Sequence, residues 1–256
     1  MRRSRTPWIT TIAVLVFFYL PVVVLILNSF NASRFGGSWE GFTLQWYALL
    51  WSRRDIWMAL RNTLVIAAGA TLVSTVLGTT AAFALHRYGG RLQQAHYLLI
   101  YTPLVIPEIL MGMGFLLFFV TIGLKLGLFT ILLSHITFCV SYVAFVVLGR
   151  LQDFDWGLVE AAQDLGATPW RAFWSVVLPV LAPGISAGAL LAFTLSIDDF
   201  VITFFTSGPG STTLPVRIYS MIKHGQPALI NALSTILLIV TFTTVWLSQR
   251  LTRESK

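Results

Sequence analysis

Charged side chains make up only 11% of this 256-residue sequence, less than half of the roughly 25% usual in soluble domains. With 56% hydrophobic residues and a mean hydropathy of +0.79, that shortage excludes a water-soluble domain and leaves an integral membrane protein. Cysteine is nearly missing. The single one, Cys139, lies inside an apolar run, which excludes an internal disulfide framework and a thiolate metal site. His86, His96, His135 and His224 are scattered without ligand spacing, so no metal is implied; isolated histidines of this kind are mostly hydrogen-bonding structural residues. No GxxxxGK[ST] phosphate loop occurs, and Gly112-Met113-Gly114 and Gly208-Pro209-Gly210 are not followed by Lys-Ser/Thr, so the chain is not an ATPase. No Ser–His, HExxH or paired catalytic carboxylate motif marks an intramembrane enzyme. The net charge of +7 forms no basic stripe of the kind that tracks phosphates, which argues against nucleic acid as a partner.

What the sequence has in quantity is long apolar runs. A bilayer core about 30 Å thick takes roughly 20 apolar residues in a helix, because each backbone polar group must be satisfied within the segment. Six runs qualify: Trp8 to Leu27, Thr63 to Leu85, Tyr97 to Ile122, Leu128 to Leu148, Val176 to Phe205 and Ala228 to Leu247. The first follows a basic start, as a signal peptide does. Its apolar stretch exceeds the roughly 7–15 residues of a signal core and no small-x-small site closes it, so it reads as a retained span. Pro21, Pro103 and Pro107 predict kinks in the first and third runs, and Pro179, Pro183 and Gly184 predict a bend in the first turns of the fifth.

Orientation follows from Lys and Arg. With six spans both termini share a side, which holds Arg2, Arg3, Arg5, Arg87, Arg91, Arg150, Arg171, Arg250, Arg253 and Lys256; the other holds Arg34, Arg53, Arg54, Arg61, Lys125, Arg217 and Lys223. The ten-to-seven bias predicts cytoplasmic N- and C-termini. The segments between spans are too short for a separate globular domain, so residues 1–256 read as a single transmembrane domain.

One cytoplasmic segment is unusually well punctuated. In EAAQDLGATPWRAFWSVVLP, residues 160–179, and just before it, Asp155 can cap a helix over Trp156 to Leu165. Gly166 can end that helix, and Thr168-Pro169 can start another. Leu158, Ala162 and Leu165 share one side of the first helix, with Glu160, Gln163 and Asp164 around the rest. A helix this short needs something to dock on. Capping and periodicity fit an ordinary loop and a docking element equally.

The residues go further. Glu160-Ala161-Ala162, three residues, Gly166, nine residues, Val176, one residue, Leu178-Pro179 resembles the EAA loop of ATP-binding-cassette importer permeases. That pattern is EAA, three residues, Gly, nine residues, Ile, one residue, Leu-Pro, and Val176 in place of Ile is the one departure. The resemblance implies an all-α polytopic transmembrane bundle of about six spans, like the type I importer permeases, with a cytoplasmic coupling loop at about 150–175. It implies that Glu160, Ala161, Ala162, Gly166, Leu178 and Pro179 belong to the element that sits on a separate ATPase subunit. ATP and Mg would be bound by that partner, with no cofactor in this chain. The other implied partners are a second homologous permease subunit, an external substrate-binding protein and the lipids of a bacterial inner membrane.

NSFNASRFGGSWEGFTLQWYALL, LSHITFCVSYV, EAAQDLGA, LAFTLSIDDFVITFF and LPVRIYSMIKHG together resemble the spermidine/putrescine branch of this family, which implies a polyamine cargo. Three acids at membrane depth agree with a cation: Glu108 in the third run, and Asp198 and Asp199 in the fifth. Counted from Phe205, Asp198 lies roughly 10 Å into the bilayer, where a carboxylate costs about 2.5–3.5 kcal/mol unless paired or wetted. No Lys or Arg within the predicted spans supplies a counter-charge. On one helix the adjacent acids point about 100° apart, so one faces a path and the other packs against a neighbour. A structural ion pair or an interfacial acid cluster is the alternative, and Glu108 after Pro107 fits a structural role as well as a functional one.

Trp39, Trp46, Tyr47, Trp51 and Trp57 crowd the first external segment, which suits anchoring at the membrane interface; cation–π contact with an amine is the other reading. That segment and residues 207–226 face the outside, where a binding protein would dock. Two further functions remain open: a permease for another small cargo, and a proton-coupled carrier using Asp198, Asp199 or Glu108 as its proton site. The carrier lacks the inverted repeats common in that class and has no use for an ATPase-docking loop.

Overall fold

Runs that must satisfy their own backbone in lipid fold as helices, and the computed structural model, which describes residues 6–87, 90 and 93–254, shows them so. Arg2, Arg3, Arg5, Arg91 and Lys256, counted above for orientation, lie outside the described residues. Among the described residues there is no strand, only an isolated bridge between Asn31 and Phe42. In chain order the helices are α1 (Thr6–Ser29), α2 (Gln45–Ser52), α3 (Arg54–Arg87), α4 (Gln93–Val105), α5 (Glu108–Thr121) and α6 (Leu128–Gln152). After them come α7 (Gly157–Asp164), α8 (Pro169–Ala172), a π turn (Phe173–Val177), α9 (Leu178–Asp198), α10 (Val201–Thr206), α11 (Leu214–Lys223) and α12 (Pro227–Glu254). Five helices are long and apolar enough to cross a membrane, and the pair α4–α5 makes six if it counts as one span.

α1 runs through Pro21 and α4 through Pro103. Only Pro107 marks a break: it precedes α5 with an extended ψ of 134°, and α4 and α5 meet at a bend of 112°. The fifth run does not break at Pro179 or Pro183 either. Residues Pro169–Asp198 form one continuous helical rod. Pro179 has no N–H to offer the carbonyl of Ser175, and the turn just before it widens to π spacing, with the Leu178 N–H donating to the Phe173 carbonyl. The break comes at Asp199, whose ψ of 123° is extended, before α10 resumes.

The chain divides into two compact units, residues 1–57 with 217–256, and residues 58–216. In the first, α1 and α2 both pack on α12. Asn31 organises the segment after α1: its Oδ1 accepts from the backbone N–H of Ser33 and Glu40, and its Nδ2 donates to the Ser38 carbonyl at 2.7 Å. The Trp46 indole donates to the Asn31 carbonyl, and the Tyr47 and Ser29 hydroxyls are hydrogen-bonded. Trp46 and Tyr47, two of the five aromatics between the first two spans, are therefore engaged in tying this segment together. Asp55 joins Arg53 and Arg217 in one ion-paired group.

In the second unit α6 is the central post. Val143, Val147 and Leu151 of α6 pack with Val177, Leu181 and Ala192 in one buried core. Glycine lets backbones meet there: a Cβ at Gly184 of α9 would lie 3.0 Å from Arg150 Cβ, and one at Gly78 of α3 would lie 2.7 Å from Val143 Cβ and 2.9 Å from the Val140 carbonyl. Gly78→Ala must push α3 off α6. Overpacking of this kind costs about 1–3 kcal/mol, and the melting temperature of the purified protein is expected to fall by roughly 5 °C. An unchanged melting curve would show that the helices separate at no cost.

Candidate coupling loop and acid cavity

The capping residues build the loop between α6 and α9. Asp155 Oδ1 accepts from the Gly157 N–H at 2.9 Å and opens α7. At the other end Gly166 takes φ +88°, the left-handed region, and two bonds close the helix: Gly166 N–H to the Gln163 carbonyl at 2.8 Å and Ala167 N–H to the Ala162 carbonyl at 3.0 Å. These are the paired bonds of a Schellman end. Thr168 Oγ1 then accepts from the Arg171 N–H, with Pro169 as the first residue of α8.

Aromatic contacts hold the loop on its unit. Trp156 stacks on His86 with centroids 5.7 Å apart and donates its indole N–H to His86 Nε2 at 3.2 Å, while Phe83 and Phe154 meet other parts of the indole. A cavity of about 870 Å³ lies beneath α7, lined among others by Phe83, Trp156, Glu160, Trp170 and Phe173. Trp170, 70% exposed, lines that cavity and stacks on Phe173, whereas Leu165, 90% exposed, and Leu158, 48% exposed, are not among its lining residues. Glu160 and Ala161 are exposed and Ala162 half-buried. Leu178 and Pro179 begin α9 directly after the π turn. Exposed leucines on and just after an eight-residue helix suit a partner's groove better than water.

The three acids lie together. Glu108, Asp198 and Asp199 line one cavity of about 300 Å³, with Phe138, Tyr142, Leu195, Phe200 and Val201. Glu108 opens α5, where a carboxylate complements the helix N-terminus. The acids differ sharply in surroundings. Asp198 and Glu108 are exposed in the cavity and form no ion pair among the described residues. The Asp199 side chain is 5% exposed and fully occupied. Its Oδ2 accepts from the Thr203 N–H and the Thr203 hydroxyl, both at 2.8 Å, and lies 3.3 Å from His135 Nε2; its Oδ1 accepts from the Ile202 N–H.

His135 was the residue sequence reasoning passed over as a site member. A search for Lys or Arg counter-charges could not find it, since the partner is an imidazole from the fourth span. Asp199 and Thr203, four residues apart across a helix start, were the available signal, because a side-chain acceptor there caps the next helix.

Residues 74–253 match the family described as "Binding-protein-dependent transport system inner membrane component". The spermidine/putrescine transport system permease protein PotC of Escherichia coli (strain K12) is 39% identical over 242 residues, covering 94% of this chain and 92% of that protein. The putrescine transport system permease protein PotI of the same strain is 42% identical over 243 residues, covering 91% and 86%. A chain from the crystal structure of a bacterial alginate ABC transporter, in complex with an alginate pentasaccharide-bound periplasmic protein, aligns with a TM-score of 0.73. It does so over 97% of this chain and 93% of that one at 18% identity, a likeness of fold.

Proposed function

The chain belongs to the binding-protein-dependent transport system inner membrane component family, and from that premise we propose that it passes polyamines, spermidine or putrescine, into the cytoplasm as one permease subunit of an ATP-driven importer. The cargo is taken from the relatives, whose names specify these amines. The observation that supports it here is the cavity in which Glu108 and Asp198 stand without a protein cation while Asp199 is satisfied internally. Two carboxylates facing one passage suit the separated ammonium groups of a linear polyamine, and they repel an anion.

The remaining parts follow the same reading. The exposed apolar face of α7, with Glu160, Ala161 and Ala162, docks on a separate ATPase subunit that holds ATP and Mg. Both termini then lie in the cytoplasm, a placement that the excess of basic residues on that side supports. The external segments receive a substrate-binding protein, and a second permease subunit completes the passage.

The test is transport by the assembled complex in lipid vesicles, with partner permease, ATPase and binding protein. Labelled putrescine and spermidine are expected to accumulate only with ATP, and neither a proton gradient alone nor an anionic sugar should substitute. Uptake driven by a proton gradient without ATP would instead make the acids a carrier's proton site.

A further inference from the structure

We infer that His135 is a positioning residue for Asp198: by clamping both sides of the break in the fifth span, it fixes Asp199 as a helix cap and leaves the neighbouring carboxylate facing the cavity. The inference deepens the reading of that cavity as a cation path and rests on it.

The hydrogen-bond network sets the ring's role. The Thr203 hydroxyl has one proton, which goes to Asp199 Oδ2 at 2.8 Å. The 2.9 Å contact between Thr203 Oγ1 and His135 Nε2 must therefore take its hydrogen from the imidazole. That N–H lies between Thr203 Oγ1 and Asp199 Oδ2, the latter at 3.3 Å. On the other edge of the ring, Nδ1 is 2.7 Å from the Ser196 hydroxyl. In the neutral tautomer so assigned, Ser196 donates to it.

Ser196 belongs to the last turn of α9 and Thr203 to the first turn of α10, so one ring on α6 holds the chain before and after the break. His135 is 1% exposed, Ser196 3% and Thr203 0%, so water does not compete for these bonds. Residues 196–203 contain no proline or glycine; Asp199 caps α10 locally, and the ring from the fourth span holds both sides of the break in place. Phe138, packed on the ring at 5.4 Å, and Tyr142 one turn on also line the cavity. The helix that anchors the break thus builds the wall the acid faces.

A double-mutant cycle in the complete complex tests this. Initial uptake of labelled spermidine, normalised to assembled complex, is measured for the parent, His135→Leu, Asp198→Asn and the double variant. His135→Leu is expected to lower uptake about tenfold in the parent and less than about twofold in the Asp198→Asn background, because the ring acts through that carboxylate. Effects that multiply, or a His135→Leu variant with parental uptake, would overturn the inference. If Asp198→Asn alone leaves uptake unchanged, the cation path itself falls and takes the inference with it. That result is distinguishable from multiplicative effects with Asp198→Asn impaired, which leave the path standing. Should His135→Leu not assemble, His135→Gln and His135→Asn replace it. The glutamine amide places a donor where Nε2 was and retains transport, whereas the shorter asparagine reaches only the Nδ1 position and loses it. Equal uptake by the two would overturn the inference.

Discussion

Valine in place of Gly166 is expected to leave the protein inserted and assembled while lowering polyamine uptake and cargo-stimulated ATP hydrolysis together by tenfold or more. No atom lies within 4 Å of where its Cβ would go, so the effect is not a clash. It comes from the backbone: at φ +88° a β-branched residue is strained by about 1–3 kcal/mol. Relief of that strain breaks the two bonds that end α7. An eight-residue helix with a broken end does not hold its shape, and the face bearing Leu158 and Leu165 is lost to the ATPase. Gly166→Asn is the internal control, because asparagine tolerates the left-handed region; it should recover most of the coupling. Full uptake and stimulated hydrolysis in the valine variant would remove α7 from the coupling role.

The second large effect separates two neighbouring acids. Asp198→Asn keeps nearly the same size at a side chain with no ion pair among the described residues, so the complex should assemble normally and melt as the parent does. Its transport of di- and trications should fall about tenfold or more. Two unit charges 4 Å apart attract by about 4 kcal/mol at an effective dielectric near 20 before desolvation, and roughly a third of that is a factor of ten in rate. Asp199→Asn should fail differently. The carboxylate there accepts from four donors, and an amide turns one of its two ends into a donor facing another donor. A buried group left unsatisfied costs about 1–3 kcal/mol, so assembled complex should be scarce and should melt at lower temperature. Parental transport by Asp198→Asn, or normal assembly of Asp199→Asn, would undo the assignment of these two roles.

These contrasts trace how far the residues spoke for themselves. The membrane helices were legible because lipid imposes one rule, a self-satisfied backbone over about 20 apolar residues. The α7 end was legible because Gly166, Thr168 and Pro169 carry local conformational preferences that neighbours do not reverse. The first turns of the fifth span, where a bend is expected, hold a π turn just before Pro179, whereas the break at Asp199 has no proline or glycine to announce it. The break falls at Asp199, where the carboxylate caps α10 and a ring about 60 residues earlier holds both sides; no periodicity within the run encodes a contact at that separation. Asp199 keeps a helical φ of -60°, so the two side chains still leave the helix about 100° apart; the backbone turns only after Asp199, at its ψ of 123°, and there its carboxylate caps α10 while Asp198 faces the cavity.

The unbroken rod from Pro169 to Asp198 has a mechanical meaning. Thirty residues at 1.5 Å each span about 45 Å; one end carries Trp170 beside α7 and the other carries the acid that faces the cavity. On the proposed reading, a shaft of this length carries tilt and twist from the coupling loop to the carboxylate. The π turn, with its wider spacing, and Pro183, which offers no N–H to the Pro179 carbonyl, are where the shaft can yield. On the proposed reading, stiffening the π turn should tighten the coupling between the two ends and softening it should loosen it, read as ATP hydrolysed per amine carried.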